Sequence, residues 1–295
     1  MSSSPPWNQR VILITGATNG IGYEAAKVLA GLRHEGEGPR VVIVGRSAEK
    51  TAKCLAEIRA ASGSDRVESL LCDFESQASI RALAASFLEK YERLDVLVNN
   101  AGTVYDKRKV TVDGYEATFA VNHLGYFLLT NLLLDRVKKS APARIVSVAS
   151  EGHRRGILDF DDLHYERGGY AIFAAYCRSK LANVFFTREL ARRLEGTGVT
   201  ATCLHPGAVA TGIWDHAPAW ALPFLWLPRK LFFISQQQGG QTIVRAATDP
   251  VVEGLSGVYF NGLVEQHVSR RAQDDAVAAR LWQVSEALTG QTTSP

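Results

Sequence analysis

Cysteine is scarce in this sequence of 295 residues. Its four copies, Cys54, Cys72, Cys177 and Cys203, fall in no C-x-x-C or metal-type spacing. Neither a disulfide framework nor a zinc site is indicated, and a reduced, cytoplasmic setting fits. The chain also lacks about twenty uninterrupted apolar residues, the length a membrane-spanning helix needs. Its first residues, MSSSPPWNQR, hold no apolar stretch of the kind a secretory leader uses, and residues 1–9 read as a flexible tail. Charge of one sign is lacking too: the net charge is +3. The basic clusters Arg154-Arg155, Arg192-Arg193 and Arg270-Arg271 are too short for a nucleic-acid footprint.

What is present is the composition of a globular protein, with 46% hydrophobic and 21% charged residues. Short β-branched runs alternate with longer amphipathic segments. Strands are predicted at Val11–Thr15, Val41–Val44, Val67–Leu71, Val96–Asn99, Arg144–Val148 and Thr200–Leu204. The runs VILIT, RVVIV, DVLVN and RIVSV are continuously apolar, as strands buried on both faces must be. Helices are predicted near Gly22–Leu32, Ala48–Ala61, Gln77–Tyr91, Gly114–Lys138 and Tyr176–Leu194, with a last strand at Gly257–Phe260 and a closing helix at Asp274–Leu288. The stretch SQQQGGQT, Ser235–Thr242, reads as a loop feeding a helix. The pattern is that of an α/β doubly wound parallel sheet of Rossmann type, three layers in a single domain spanning residues 1–295.

Directly after the first strand comes Thr15-Gly16-Ala17-Thr18-Asn19-Gly20-Ile21-Gly22, leading into a helix. Glycines there let the backbone approach a pyrophosphate, and the free N–H groups at the helix start attract the anion. The spacing is G-x-x-x-G-x-G. At the end of the second strand stands Arg46 with no acid beside it in sequence, which suits the 2′-phosphate of NADP(H) through charge-assisted bonds. Asp73 and Phe74 follow the third strand, where the Asp73 carboxylate can receive the adenine amino group, cap the helix that starts near Ser76, or do both.

Further chemistry-bearing residues follow the later strands: Asn100, Ala101 and Gly102 in LVNNAG, Asn122 in FAVNHLGYF, Ser150 after IVSVAS, Tyr176 and Lys180 in YCRSKLAN, and His205 to Thr211 in HPGAVAT. Ligands of open α/β sheets bind beyond the carboxyl ends of the strands, and every one of these segments lies at or just after such an end. On a helix, Tyr176 and Lys180 share a face, so the lysine charge can favour the phenolate. His123, His205 and Cys177 read as packed, structural residues.

From Val11 to about Thr211 the chain resembles the short-chain dehydrogenase/reductase family in motif type, order and spacing, and within it the retinol dehydrogenase-like branch. VNHLGYFLLT, YCRSKLANVFFTRELARRL, GTGVT and LHPGAV carry the likeness to that branch. The resemblance implies hydride transfer between NADP(H) and a carbonyl or alcohol, with Tyr176 as acid or base and Lys180 lowering its pKa and holding the ribose. Ser150 would steady the substrate oxygen, with Ser147 as the fallback, and Asn122 would hold a water that relays protons. The cofactor would lie against Gly16, Thr18, Asn19, Gly20, Ile21, Gly22, Arg46, Asp73, Phe74, Asn100, Ala101, Gly102, Tyr176, Lys180, Pro206, Gly207, Val209 and Thr211. The aromatic, proline-broken segment 208–235 reads as a lid over a lipophilic ketone, aldehyde or alcohol. A membrane-surface contact and a homo-oligomer contact are the other readings of that segment, and the long helices resemble the family's dimer bundle. A cofactor-binding regulator without turnover, or an isomerase or enoyl-type reductase on the same scaffold, are the rival functions.

Overall fold

The structure is a computed structural model that describes residues 5–208, 234–262 and 264–292. Among these, eight strands form one sheet in the order β3-β2-β1-β4-β5-β6-β7-β8. They are β1 (Val11–Thr15), β2 (Arg40–Gly45), β3 (Val67–Leu71), β4 (Val96–Asn99), β5 (Ala143–Val148), β6 (Val199–His205), β7 (Tyr259–Asn261) and β8 (Val264–Gln266). All neighbours are parallel except β7 and β8.

Strand alternation divides the core into two layers. Val11 and Leu13 of β1 join Phe87, Phe127 and Trp282 on one face. Ile12 and Ile14 join Ala26, Leu29 and Ile243 on the other. The helices covering these faces are α1 (Gly20–Ala30), α2 (Ala48–Ser62), α3 (Gln77–Lys90), the short α4 (Ala117–Phe119), α5 (Gly125–Lys139), α6 (Ile172–Arg193), α7 (Gln236–Thr248) and α8 (Asp275–Thr289). Residues Ala120–Leu124 form a π turn that joins α4 to α5. The helical run Ala117–Lys139 is long and apolar enough to cross a membrane, but it is almost wholly buried inside the domain.

The structure differs from the sequence reading at three places. SQQQGGQT is not a loop: Ser235 caps α7 in a capping box with Gln238, and the glycines lie inside the helix. Gly240 is there because α7 packs tightly on α1, where a Cβ would lie 2.8 Å from Glu24 Cβ and 3.0 Å from the Ala25 nitrogen. The helix carrying Tyr176 starts one turn earlier, at Ile172. Within the stretch expected as a tail, Trp7–Gln9 form a short turn, with Trp7 packed on the core and the Arg10 guanidinium 4.0 Å from its ring. The four cysteines are free and buried.

Candidate active site

The ends of β1 and β4 are tied together by one side chain. Thr15 Oγ1 donates to the Val98 carbonyl at 3.2 Å and accepts from the backbone N–H groups of Asn100 (2.9 Å) and Ala101 (3.0 Å). Asn100 Nδ2 donates in turn to the carbonyls of Thr15 and Gly16. Gly16 has φ +65, and a Cβ on it would stand 2.7 Å from Ala101 Cα, so the turn needs glycine both for conformation and for space. At the start of α1, Asn19 is extended and its side chain makes no capping bond. The helix therefore presents its first N–H groups and positive end outward, which fits a dinucleotide pyrophosphate.

Arg46 stands at the rim, just past β2, and 68% of its side chain is exposed. It is not without an acid: its Nη1 lies 3.3 Å from Glu75 Oε1, a neighbour brought up by the turn after β3 and invisible in the local sequence. Asp73 does not cap α3, because Ser76 does so by accepting from Ser79 N–H. Asp73 Oδ1 instead accepts from Glu75 N–H at 3.1 Å. The Phe74 side chain is buried and its ring occupies the space beside Gly125, so Phe74 offers a cofactor its main chain only.

Ser150, Tyr176, Lys180 and Asn122 converge beyond β4 and β5. Ser150 Oγ accepts from Gly152 N–H at 3.1 Å and shares a hydrogen bond with the Tyr176 phenol. Ser147 lies within β5, and its Oγ is buried without a hydrogen-bond partner, whereas Ser150 is the serine bonded to the phenol. Lys180 Nζ donates to the Val148 carbonyl at 2.8 Å, and burial draws its pKa down to about 7. Burial also pushes the Tyr176 phenol up to about 12, with the Ser150 hydroxyl pulling the other way. The lowering of the phenol expected from Lys180 is not seen: desolvation dominates, and the neighbours that act on the phenol are Ser150 and Cys177.

Asn122 lies in the π turn. Its Oδ1 accepts from Thr103 N–H at 2.8 Å, while Nδ2 donates to the Thr103 carbonyl and to Ser179 Oγ, both at 3.0 Å. Ser179 Oγ donates to the Tyr176 carbonyl, so Asn122 is connected to the helix that carries the tyrosine. Its amide is occupied by protein partners. A π turn, however, places main-chain groups outside the regular i+4 ladder, where a water can meet them.

The 26 positions that separate Ser150 from Tyr176 are organised by a buried Arg178. Its guanidinium donates to the carbonyls of Ile157, Asp162 and Leu163 and lies 3.9 Å from the Tyr165 ring. A turn at Glu151–Arg155 follows Ser150 directly. There His153 Nδ1 pairs with the Ser150 carbonyl at 2.7 Å, and Tyr259 donates to Glu151 at 2.6 Å. His123 and His205 are held neutral, burial bringing them down to about 3 and about 4. His123 Nε2 pairs with Ser285 Oγ at 2.9 Å. Pro206 and Gly207 follow β6, whereas Val209, Thr211 and most of the expected lid lie outside the described residues. Thr15, Gly152, Arg178 and Glu75 were not expected at the site. Only Thr15 carried a local signal, as the last strand residue before the glycines.

Comparison with known proteins agrees with this geometry. Residues 10–221 match the short chain dehydrogenase family. Retinol dehydrogenase 14 of Mus musculus is 42% identical over 293 residues, covering 95% of this chain and 86% of the relative. Retinol dehydrogenase 12 of Homo sapiens is 43% identical over 281 residues, with the same coverage. A crystal structure of an uncharacterized protein from Mycobacterium paratuberculosis superposes with a TM-score of 0.78 at 30% identity, covering 99% of this chain and 97% of the other. Actinorhodin polyketide ketoreductase, crystallised with NADPH, is 27% identical with a TM-score of 0.67, covering 86% of this chain and 97% of its own. With the glycine cradle and the Ser150–Tyr176–Lys180 group on one sheet edge, this chain belongs to the short-chain dehydrogenase family.

Proposed function

We propose that this chain is an NADP(H)-dependent oxidoreductase that interconverts a lipophilic ketone or aldehyde and its alcohol. One observation carries the reading: a serine and a tyrosine hydroxyl, bonded to each other, stand with a buried lysine beyond the same strand-end edge of the sheet that carries an uncapped helix start. When bound, NADPH supplies the hydride that the carbonyl carbon takes up. Tyr176 gives its proton to the carbonyl oxygen. Ser150 Oγ accepts from Gly152 N–H, and its hydrogen, directed at the phenol in the free site, turns to that same oxygen as negative charge develops there. A phenol raised by burial keeps its proton at neutral pH, the state that carbonyl reduction draws on, while alcohol oxidation draws on the phenolate. Lys180, bonded to the strand end, steadies the cofactor ribose, and the π turn at Asn122 supplies the main-chain site for a relay water.

Support for NADP(H) comes from the exposed Arg46 and from relatives crystallised with that cofactor, among them RhlG of Pseudomonas aeruginosa with NADP, 26% identical at a TM-score of 0.66. Support for a lipophilic substrate comes from the names of the retinol dehydrogenases and from Ile157 and Phe173, which are 60% and 43% exposed on the segment between Ser150 and Tyr176. The test is consumption of NADPH, followed at its absorbance band, with a panel of bulky and small ketones and aldehydes and with NADH in parallel. Selective turnover of apolar carbonyls with NADPH is expected. Tight cofactor binding with no turnover of any carbonyl would leave a regulator in place of an enzyme.

A further inference from the structure

Glu75 takes no part in the chemistry above, yet three groups converge on it. Lys109 Nζ lies 2.6 Å from Oε2, while the Tyr105 hydroxyl donates to Oε1 and Arg46 Nη1 reaches the same oxygen at 3.3 Å. Only 13% of the Glu75 side chain is exposed. Burial raises its pKa, but the bonds from Lys109 and Tyr105 and the nearby positive charges outweigh that and hold it below the usual carboxylate range. The contacts cross the sheet edge. Glu75 follows β3 and Tyr105 follows β4, with β2 and β1 lying between those strands. The Tyr105 turn is itself secured, its carbonyl accepting from Tyr170 Oη at 2.7 Å.

Arg46 is the loosest and most exposed of the three partners. A carboxylate fixed within ion-pair reach of this arginine is also close enough to repel a phosphate that the arginine binds, which is why an acid near the end of β2 ordinarily disfavours a 2′-phosphate. We propose that Glu75 is a specificity-determining residue of the nucleotide site: it competes with the cofactor 2′-phosphate for Arg46, and Tyr105 and Lys109 weaken that competition by occupying the carboxylate. Arg46 can then leave Glu75 without stranding a buried charge, because two donors remain. The inference rests on the assignment of Arg46 to the 2′-phosphate.

The experiment is equilibrium binding of adenosine 2′,5′-bisphosphate and of 5′-AMP to the full chain, which isolates the adenosine end and needs no turnover. Glu75→Gln is expected to raise the ratio of bisphosphate to AMP affinity about two- to fivefold, the range an exposed ion pair sets. Tyr105→Phe keeps the ring against Lys109 but frees the carboxylate for Arg46, so the ratio falls. An unchanged ratio in Glu75→Gln, or equal weakening of both ligands, makes Glu75 a structural tie only and overturns the proposal. If Glu75→Gln does not fold, Tyr105→Phe decides alone, an unchanged or increased ratio overturning the proposal. Arg46→Ala separates the two ideas. Its ratio collapses if Arg46 binds the phosphate, and a ratio that stays put removes that assignment and the Glu75 role with it.

Discussion

Lys180 Nζ stands 5.7 Å from the centroid of the Tyr176 ring and is bonded to the Val148 carbonyl at the end of β5. The two residues share a helix face, as four-residue spacing requires, but the lysine is anchored to the sheet and not to the phenol. Its position is therefore set by the strand that also leads to Ser150. One strand end thus fixes both partners of the tyrosine.

Removing the phenol hydroxyl tests the proton donor. Tyr176→Phe is expected to lower kcat by about 10²- to 10⁴-fold, the usual worth of a positioned acid or base, with NADPH affinity retained. Steady-state kinetics and cofactor titration on the same preparation measure both. Turnover near the wild-type rate would end the assignment. In the wild type, alcohol oxidation should gain on carbonyl reduction as pH rises toward about 12, because only oxidation needs the phenolate.

Lys180 gives a stability prediction whose sign follows from its lowered pKa. The unfolded chain holds the lysine proton up to about 10.5, while the folded chain releases it near 7, so folding is opposed most at and below neutral pH. The opposition fades as pH rises from about 7 to about 10.5, with a slope of at most ~1.4 kcal/mol per pH unit. Lys180→Met removes this term. Thermal unfolding across that range should show the Met variant gaining most, relative to wild type, at the low-pH end, with the difference shrinking upward. A pH-independent difference would mean that the lysine is not desolvated.

How much of this could be read from the chain depended on whether the cause was local. VILIT and RVVIV announce doubly buried strands because burial on both faces removes alternation, and YCRSK announces a shared face because helical spacing is short-range. The start of α7 is hidden because its glycines answer to contact with α1, more than two hundred positions earlier. The exposed strand β8 carries no apolar signal at all, being three residues long and solvent-facing. The same limit applies at the site. Asn122 stood out by its motif, but its bonds to Thr103 and Ser179 depend on the π turn and on packing against α6. Arg46 has no acid beside it in sequence, and its acid partner Glu75 lies 29 positions away.

Acid should destabilise the fold through its buried imidazoles. His123 and His205 bind a proton more weakly in the folded chain than in the unfolded one, since burial lowers them from 6.5 to about 3 and about 4. Above about 6.5 both are neutral in either state and cost nothing. Below it the unfolded chain takes the proton first, so stability falls as pH drops toward 4. Denaturant titrations at stepped pH should show this decline, and His123→Gln should make it shallower by up to one proton's worth of slope. A variant as acid-sensitive as wild type would exclude His123 as a contributor.

Gly152 offers a test of alignment separate from the reacting groups. A Cβ there would lie 3.3 Å from both Tyr176 Cε1 and Cys177 Sγ and 3.5 Å from Ser150 Oγ, so alanine is tight and a branched side chain must displace the tyrosine or the serine. Overpacking of this kind costs about 1–3 kcal/mol in stability. A displacement of about 1 Å between catalytic groups costs about 100-fold in rate. Gly152→Val should therefore lose kcat by roughly that factor, and Gly152→Ala by less, with both binding NADPH as wild type does because the cradle at Gly16 and Asn100 is untouched. The discriminating comparison is kcat against cofactor affinity across the series. If activity persists in the valine variant while the protein remains folded, the close Ser150–Tyr176 pairing is not what the reaction requires.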